Sequence, residues 1–135
     1  MTNVLDRHFA PLQAALDLRG YRQQLLAANM ANADTPNYHA VDLKFAAAMR
    51  SALSDQGTSL PLQTDQAGQQ QAAMQPDPAA AFVAYQAGGS VRLDGNSVDM
   101  NREQSAFASN SIQYEADLTF ITGKIKNLLA AITAP

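Results

Sequence analysis

The residues in this chain that could do chemistry are few and scattered. His8 and His39 are its only histidines, and neither has a Glu or Asp at the spacing that would complete a helical metal site. Cysteine is absent, so disulfides, thiolate zinc sites and a cysteine nucleophile are out of reach, and the chain suits an oxidising compartment. Serines are plentiful, but none sits in a nucleophile elbow, and no glycine-rich phosphate loop occurs. The expectation is a non-enzyme with no cofactor, metal or catalytic residue. The polar residues that stand out are amides. Asn29 and Asn32 lie one helical turn apart, just ahead of Thr35, Pro36, Asn37 and Tyr38, and from one helix face they could bond to the backbone of the next turn or of a neighbouring molecule.

A helix must carry those amides and a turn must follow them. From Asn3 to Ala31, Leu5, Phe9, Leu12 and Leu16 recur at helical spacing, and Leu18, Tyr21, Leu25 and Ala28 continue on a drifted stripe. Pro11 fits a first helical turn, which places the main helix at about Pro11 to Ala31 with a lead-in before it. Pro36 biases Thr35 toward extended angles, and Asn37 tolerates the left-handed third position of a type II turn. After Tyr38 the chain reads as extended for a few residues. Asp42 then fits the cap of a short helix with Phe45, Met49 and Leu53 on one face and Gly57 beyond its end.

The middle differs in composition. Six Gln fall between Gln63 and Gln75, framed by Pro61, Pro76 and Pro78, which reads as a low-complexity linker or flexible lobe. Ala79 to Tyr85 is a short apolar run, and Asp94-Gly95-Asn96 is a turn signal flanked by Val91, Leu93 and Val98, compatible with a small hairpin.

The last element is the clearest. From Asp99, an N-cap candidate, to Thr133 the pattern is a heptad: Met100, Phe107, Tyr114, Ile121 and Leu128 hold one seam position, and Gln104, Ser111, Leu118, Ile125 and Ile132 the other. A 3.5-residue repeat kept over five heptads asks for a partner helix alongside, in the same chain, in another subunit, or in both. The fold class is therefore mainly α, with long N- and C-terminal helices packing as a coiled-coil-like pair around a low-complexity, partly extended middle. The divisions fall at residues 1–53, 54–90 and 91–135. The chain carries 135 residues and a net charge of -3, with lysines and arginines placed singly, so nucleic acid is not an expected partner. No apolar run approaches a membrane span, and Asp6 and Arg7 interrupt the place of a secretory signal.

The run from Leu26 to Tyr38, with Asn29, Asn32, Thr35, Pro36 and Tyr38, resembles the signature of the flagellar axial proteins, which place an Asn-aliphatic-small-Asn core and then Thr-Pro-Gly-Tyr at the end of their first helix. Asn37 stands where that family usually has Gly. The run from Leu93 to Glu103, followed by Phe107 to Tyr114, is similar to the start of the C-terminal helix in basal-body rod proteins of the proximal type. The resemblance covers about the first 50 and last 45 residues. It implies a structural subunit exported without a cleaved signal and polymerising into the periplasmic rod. It also implies contacts with copies of itself, other rod subunits, the basal-body adaptor protein, the membrane ring and the export gate. In that setting Asn29 to Tyr38 form a turn that also touches neighbours, and Met100, Phe107, Tyr114, Leu118, Ile121, Ile125, Leu128 and Ile132 form the assembly seam. The competing readings are a soluble coiled-coil adaptor or chaperone, which has no need of the Asn29 to Tyr38 turn, and a different rod subunit.

Overall fold

The computed structural model describes residues 4–54, 78–88 and 90–133. Helix α1 runs Val4–Ala31, strand β1 Val41–Leu43, α2 Phe45–Ser54, a 3-10 turn Pro78–Phe82, β2 Val83–Tyr85 and α3 Met100–Thr133. α1 and α3 have 28 and 34 residues, so they are roughly 42 and 51 Å long. They run antiparallel: Asn29 meets Glu103, Asn110 meets Gln23, and Arg19 meets Asp117. The mainly helical expectation and the pairing of the terminal helices hold.

The middle adds a small buttress against α1. β1 and β2 pair antiparallel, with Val41 opposite Tyr85 and Leu43 opposite Val83. Leu18, Leu43, Ala48 and Ala79 form a buried cluster, onto which Tyr21, Leu25, Phe45 and Phe82 pack. Three of the expected α1 residues, Leu18, Tyr21 and Leu25, serve this cluster, whereas the fully buried Leu26 belonged to neither expected stripe. The Gln63 to Gln75 stretch and Gly57 lie outside the described residues.

Three expectations need correction. α1 begins at Val4, not near Pro11, which lies inside it; the ring removes only the bond to the carbonyl of Arg7, and Arg7 is exposed, so water is within reach of that oxygen. Asp42 does not cap α2. Its carboxylate takes both nitrogens of Arg22, at 2.8 and 2.7 Å, and the N–H of Leu43 at 2.7 Å, while the carbonyl of Lys44 accepts the first helical bonds. A bidentate pair with an arginine outweighs a single neutral cap bond, and it raises the Arg22 pKa, chiefly through the hydrogen bond to Asp42. The Asp94–Asn96 turn forms, but no strands flank it. Val91 and Leu93 face solvent; two backbone bonds close the turn locally, between Arg92 and Asn96 and between Gly95 and Arg92, and others reach the turn after α1, as in Ser97 N–H to Tyr38 O at 3.0 Å.

The C-terminal seam divides between the kinds of contact that the sequence left open. Of the first row, Phe107, Ile121 and Leu128 are half-buried, while Met100 and Tyr114 stand at the exposed margin. The second row is displaced by one residue. Glu103 and Asn110 are buried against α1 and Asp117 is half-buried there, whereas Gln104, Leu118, Ile125 and Ile132 are exposed. Polar partners on α1 reward the polar row, and a shift of one residue turns a helix by about 100°, so the apolar row is left on the flank.

If Asp42 is a salt-bridge partner rather than a cap, Asp42→Ser, which keeps a capping side chain, should lower stability by about 1–2 kcal/mol. Lys44→Asp, which places a cap at the real start of α2, should raise it by about 0.5–1 kcal/mol. Urea unfolding followed by circular dichroism measures both.

Candidate functional site

The predicted signature turn assembles into the most heavily bonded part of the molecule. Asn29 is fully buried. Its Nδ2 donates to Val41 O at 2.7 Å and Glu103 Oε2 at 2.8 Å, and its Oδ1 accepts Val41 N–H at 3.1 Å and the Tyr38 hydroxyl at 3.2 Å. The amide thus meets both backbone groups of Val41, as a neighbouring strand would, while holding the first turn of α3. Glu103, also fully buried, accepts Gln86 Nε2 on its other oxygen at 2.8 Å. Burial, and then the charge of Glu103, raise the Tyr38 pKa above its ordinary value, which keeps the phenol a donor.

Asn32 does not act with Asn29. Its Nδ2 returns to Ala28 O at 2.8 Å, and its Oδ1 accepts the Thr35 hydroxyl at 3.2 Å, so it caps its own helix. Thr35 O accepts Tyr38 N–H at 3.3 Å across Pro36 and Asn37, and Asn37 sits at φ 59°, in the left-handed position read from the sequence. Asn37 N–H donates to Asp94 O at 2.9 Å.

Opposite this turn lies Asn96, which sequence reasoning treated only as a turn residue. It is fully buried. Its Nδ2 lies 2.9, 3.0 and 2.8 Å from the carbonyls of Asn32, Ala33 and Thr35, and its Oδ1 accepts Val98 N–H at 2.7 Å. Two amide hydrogens shared among three carbonyls tie down the turn that follows α1, and Arg92 adds a bond to Ala33 O at 2.8 Å. Gly95, at φ 80°, makes room: a Cβ there would overlap the Asn37 side-chain oxygen. Asp99 Oδ1 accepts Asn101 N–H at 3.0 Å, so the expected cap of α3 is in place.

Further along, Asn110 Nδ2 donates to Arg19 O at 2.9 Å and Gln23 Oε1 at 2.6 Å, while its Oδ1 is buried without a hydrogen-bond partner among the described residues. Arg19 holds Asp117 and Gln113 and stacks over Phe45, 4.7 Å from the ring centre. Glu103, Asn110 and Asp117 fall seven apart, and that polar row was the signal that could have revealed this seam. Among the described residues no three His, Cys, Asp or Glu side chains group to hold a metal ion, and no helix is long and apolar enough to cross a membrane. The arrangement is a joint that fixes the crossing of the terminal helices.

Replacing Asn96 with Ala should cost about 2–4 kcal/mol by removing its bonds to the carbonyls of the turn, and Asn96→Asp should be worse, because a carboxylate would face three carbonyl oxygens. Thermal unfolding ranks them. By the same method Asn37→Gly should be neutral or mildly stabilising, whereas Asn37→Val should lose about 2 kcal/mol at a positive φ.

No family model matches the chain. Over 134 residues it is 39% identical to the flagellar basal body rod protein FlgB of Proteus mirabilis strain HI4320, covering 98% of both chains. The protein of that name from Escherichia coli K12 is 40% identical over 131 residues, or 96% of this chain and 95% of the other. The Salmonella typhimurium protein is 39% identical over 134 residues, covering 93% and 95%. Likeness of this degree along nearly the whole length of each relative means that the chain belongs to the family of flagellar basal body rod proteins FlgB.

Proposed function

We propose that this chain is a non-catalytic structural subunit of the proximal flagellar rod, polymerising in the periplasm through its terminal helices. Its partners in this reading are its own copies, other rod subunits, the basal-body adaptor protein, the membrane ring and the export gate. Near full-length likeness to rod proteins supports the reading. The observation that carries it is physical: α3 turns polar residues inward and leaves Leu118, Ile125, Leu129 and Ile132, which share one face, from 42 to 80% exposed. A helix flank of that kind needs cover, and subunits stacked along a rod supply it. A coiled-coil adaptor would also cover it, but would have no use for the joint around Asn29 and Asn96.

The test uses residues that this chain does not bury. Ile125→Asp should leave the helicity and melting of the isolated protein unchanged, since Ile125 is 51% exposed. In cells the variant should be secreted yet leave them without rods and non-motile, because a buried intersubunit carboxylate costs several kcal/mol, on the order of 3. Asn127→Asp, an exposed change on the same helix, should support motility. Motile cells carrying Ile125→Asp would refute the reading.

A further inference from the structure

Beside the exposed flank, between α1 and α3, lies an apolar hollow of about 510 Å³ lined by Gly20, Gln23 and Ala27 on one helix and Phe107, Ser111 and Tyr114 on the other. The lack of bulk at Gly20 and Ala27 opens it. Phe107, Ser111, Tyr114, Leu118, Ile125 and Ile132 follow one another at spacings of three, four or seven, so the hollow and the exposed flank are two halves of one band along α3. Because α3 is a single helix from Met100 to Thr133, a chain cannot bend its own flank back into its own hollow. The filler must come from another molecule.

Charge identifies that molecule. Beyond Asp117, α3 carries Lys124 and Lys126 and no carboxylate. Glu115 lines the hollow and Asp17 lines the adjoining one, and the nearby cation Arg19 is engaged by Asp117. Neither Glu115 nor Lys126 has an ion-pair partner among the described residues. A basic apolar flank and an acid-rimmed apolar hollow on one chain are mutually complementary. We infer that the Leu118–Ile132 flank of one copy fills the Gly20–Phe107 hollow of the next, with Lys126 against Glu115. The contact is heterologous, flank to hollow, and leaves a free flank and a free hollow at the two ends, so it propagates instead of closing. Successive copies are staggered by two heptads, on the order of 20 Å. This rests on the rod reading and specifies which surfaces meet within it.

The chain has no cysteine, which makes disulfide trapping clean. Gln24→Cys, in the wall of the hollow level with Ser111, and Ile125→Cys are placed together in the full chain, expressed in cells lacking their own copy, and oxidised in isolated rods. The expected product is a ladder of trimers and longer species, whereas either single variant alone gives no disulfide dimer. Glu115→Lys or Lys126→Glu should each reduce the ladder about fivefold, and the two together should restore it. Circular dichroism of the isolated variants shows whether the fold is kept. A 125–125 dimer from the single variant, a double variant that stops at dimers, or rods that assemble without any cross-link would each overturn the inference while leaving the rod reading intact. Rods that form without incorporating the wild-type chain would remove the rod reading itself, and this inference with it.

Discussion

The structure depends on the burial of one side-chain amide. An amide out of water is costly unless all its polar atoms are met, and Asn29 meets that condition through three separate parts of the chain: the backbone of Val41, the hydroxyl of Tyr38 and the carboxylate of Glu103. Each of those bonds requires a different element to be in place. The strand must leave the turn at the right height, the turn must return Tyr38 over α1, and α3 must start with Glu103 facing inward. A shape-tolerant apolar residue at position 29 would fill space without imposing any of this.

Asn96 performs the reciprocal task from the other terminal segment. The carbonyls of Asn32, Ala33 and Thr35, in the turn that follows α1, are met by a residue more than sixty positions away. The end of α1 and the approach to α3 are therefore completed together. Gly95 and Asn37 show how close the approach is, since one lacks a side chain where the other presents its oxygen.

The same polar row that joins the helices explains why the molecule leaves apolar surface open. Glu103, Asn110 and Asp117 take the inward positions because α1 offers Asn29, Gln23 and Arg19 to meet them. Hydrogen bonds specify register more sharply than they stabilise. The apolar residues one position on are displaced to the exposed flank of the same helix.

Much of this was legible in the sequence. Helical spacing located α3 and its cap at Asp99, the Thr35 to Tyr38 turn and its left-handed Asn37 followed from residue type, and the signature residues pointed to the family. Periodicity reports which residues share a face, and turn chemistry reports local dihedral needs; both are properties of neighbouring residues. What only the tertiary structure decided was the choice of partner. Asp42 was equally able to cap a helix or bind an arginine, and Arg22 settled the matter. Asn29 and Asn32 share a face in the sequence yet part in the fold, one to the core and one to its own helix end. The seam lay one residue from the apolar heptad because the partners of a polar row are distant in sequence. The heptad spacing of Glu103, Asn110 and Asp117 marks a face but not its partners, 74 to 98 residues away, and the geometry that makes those bonds favourable exists only once both helices are in place.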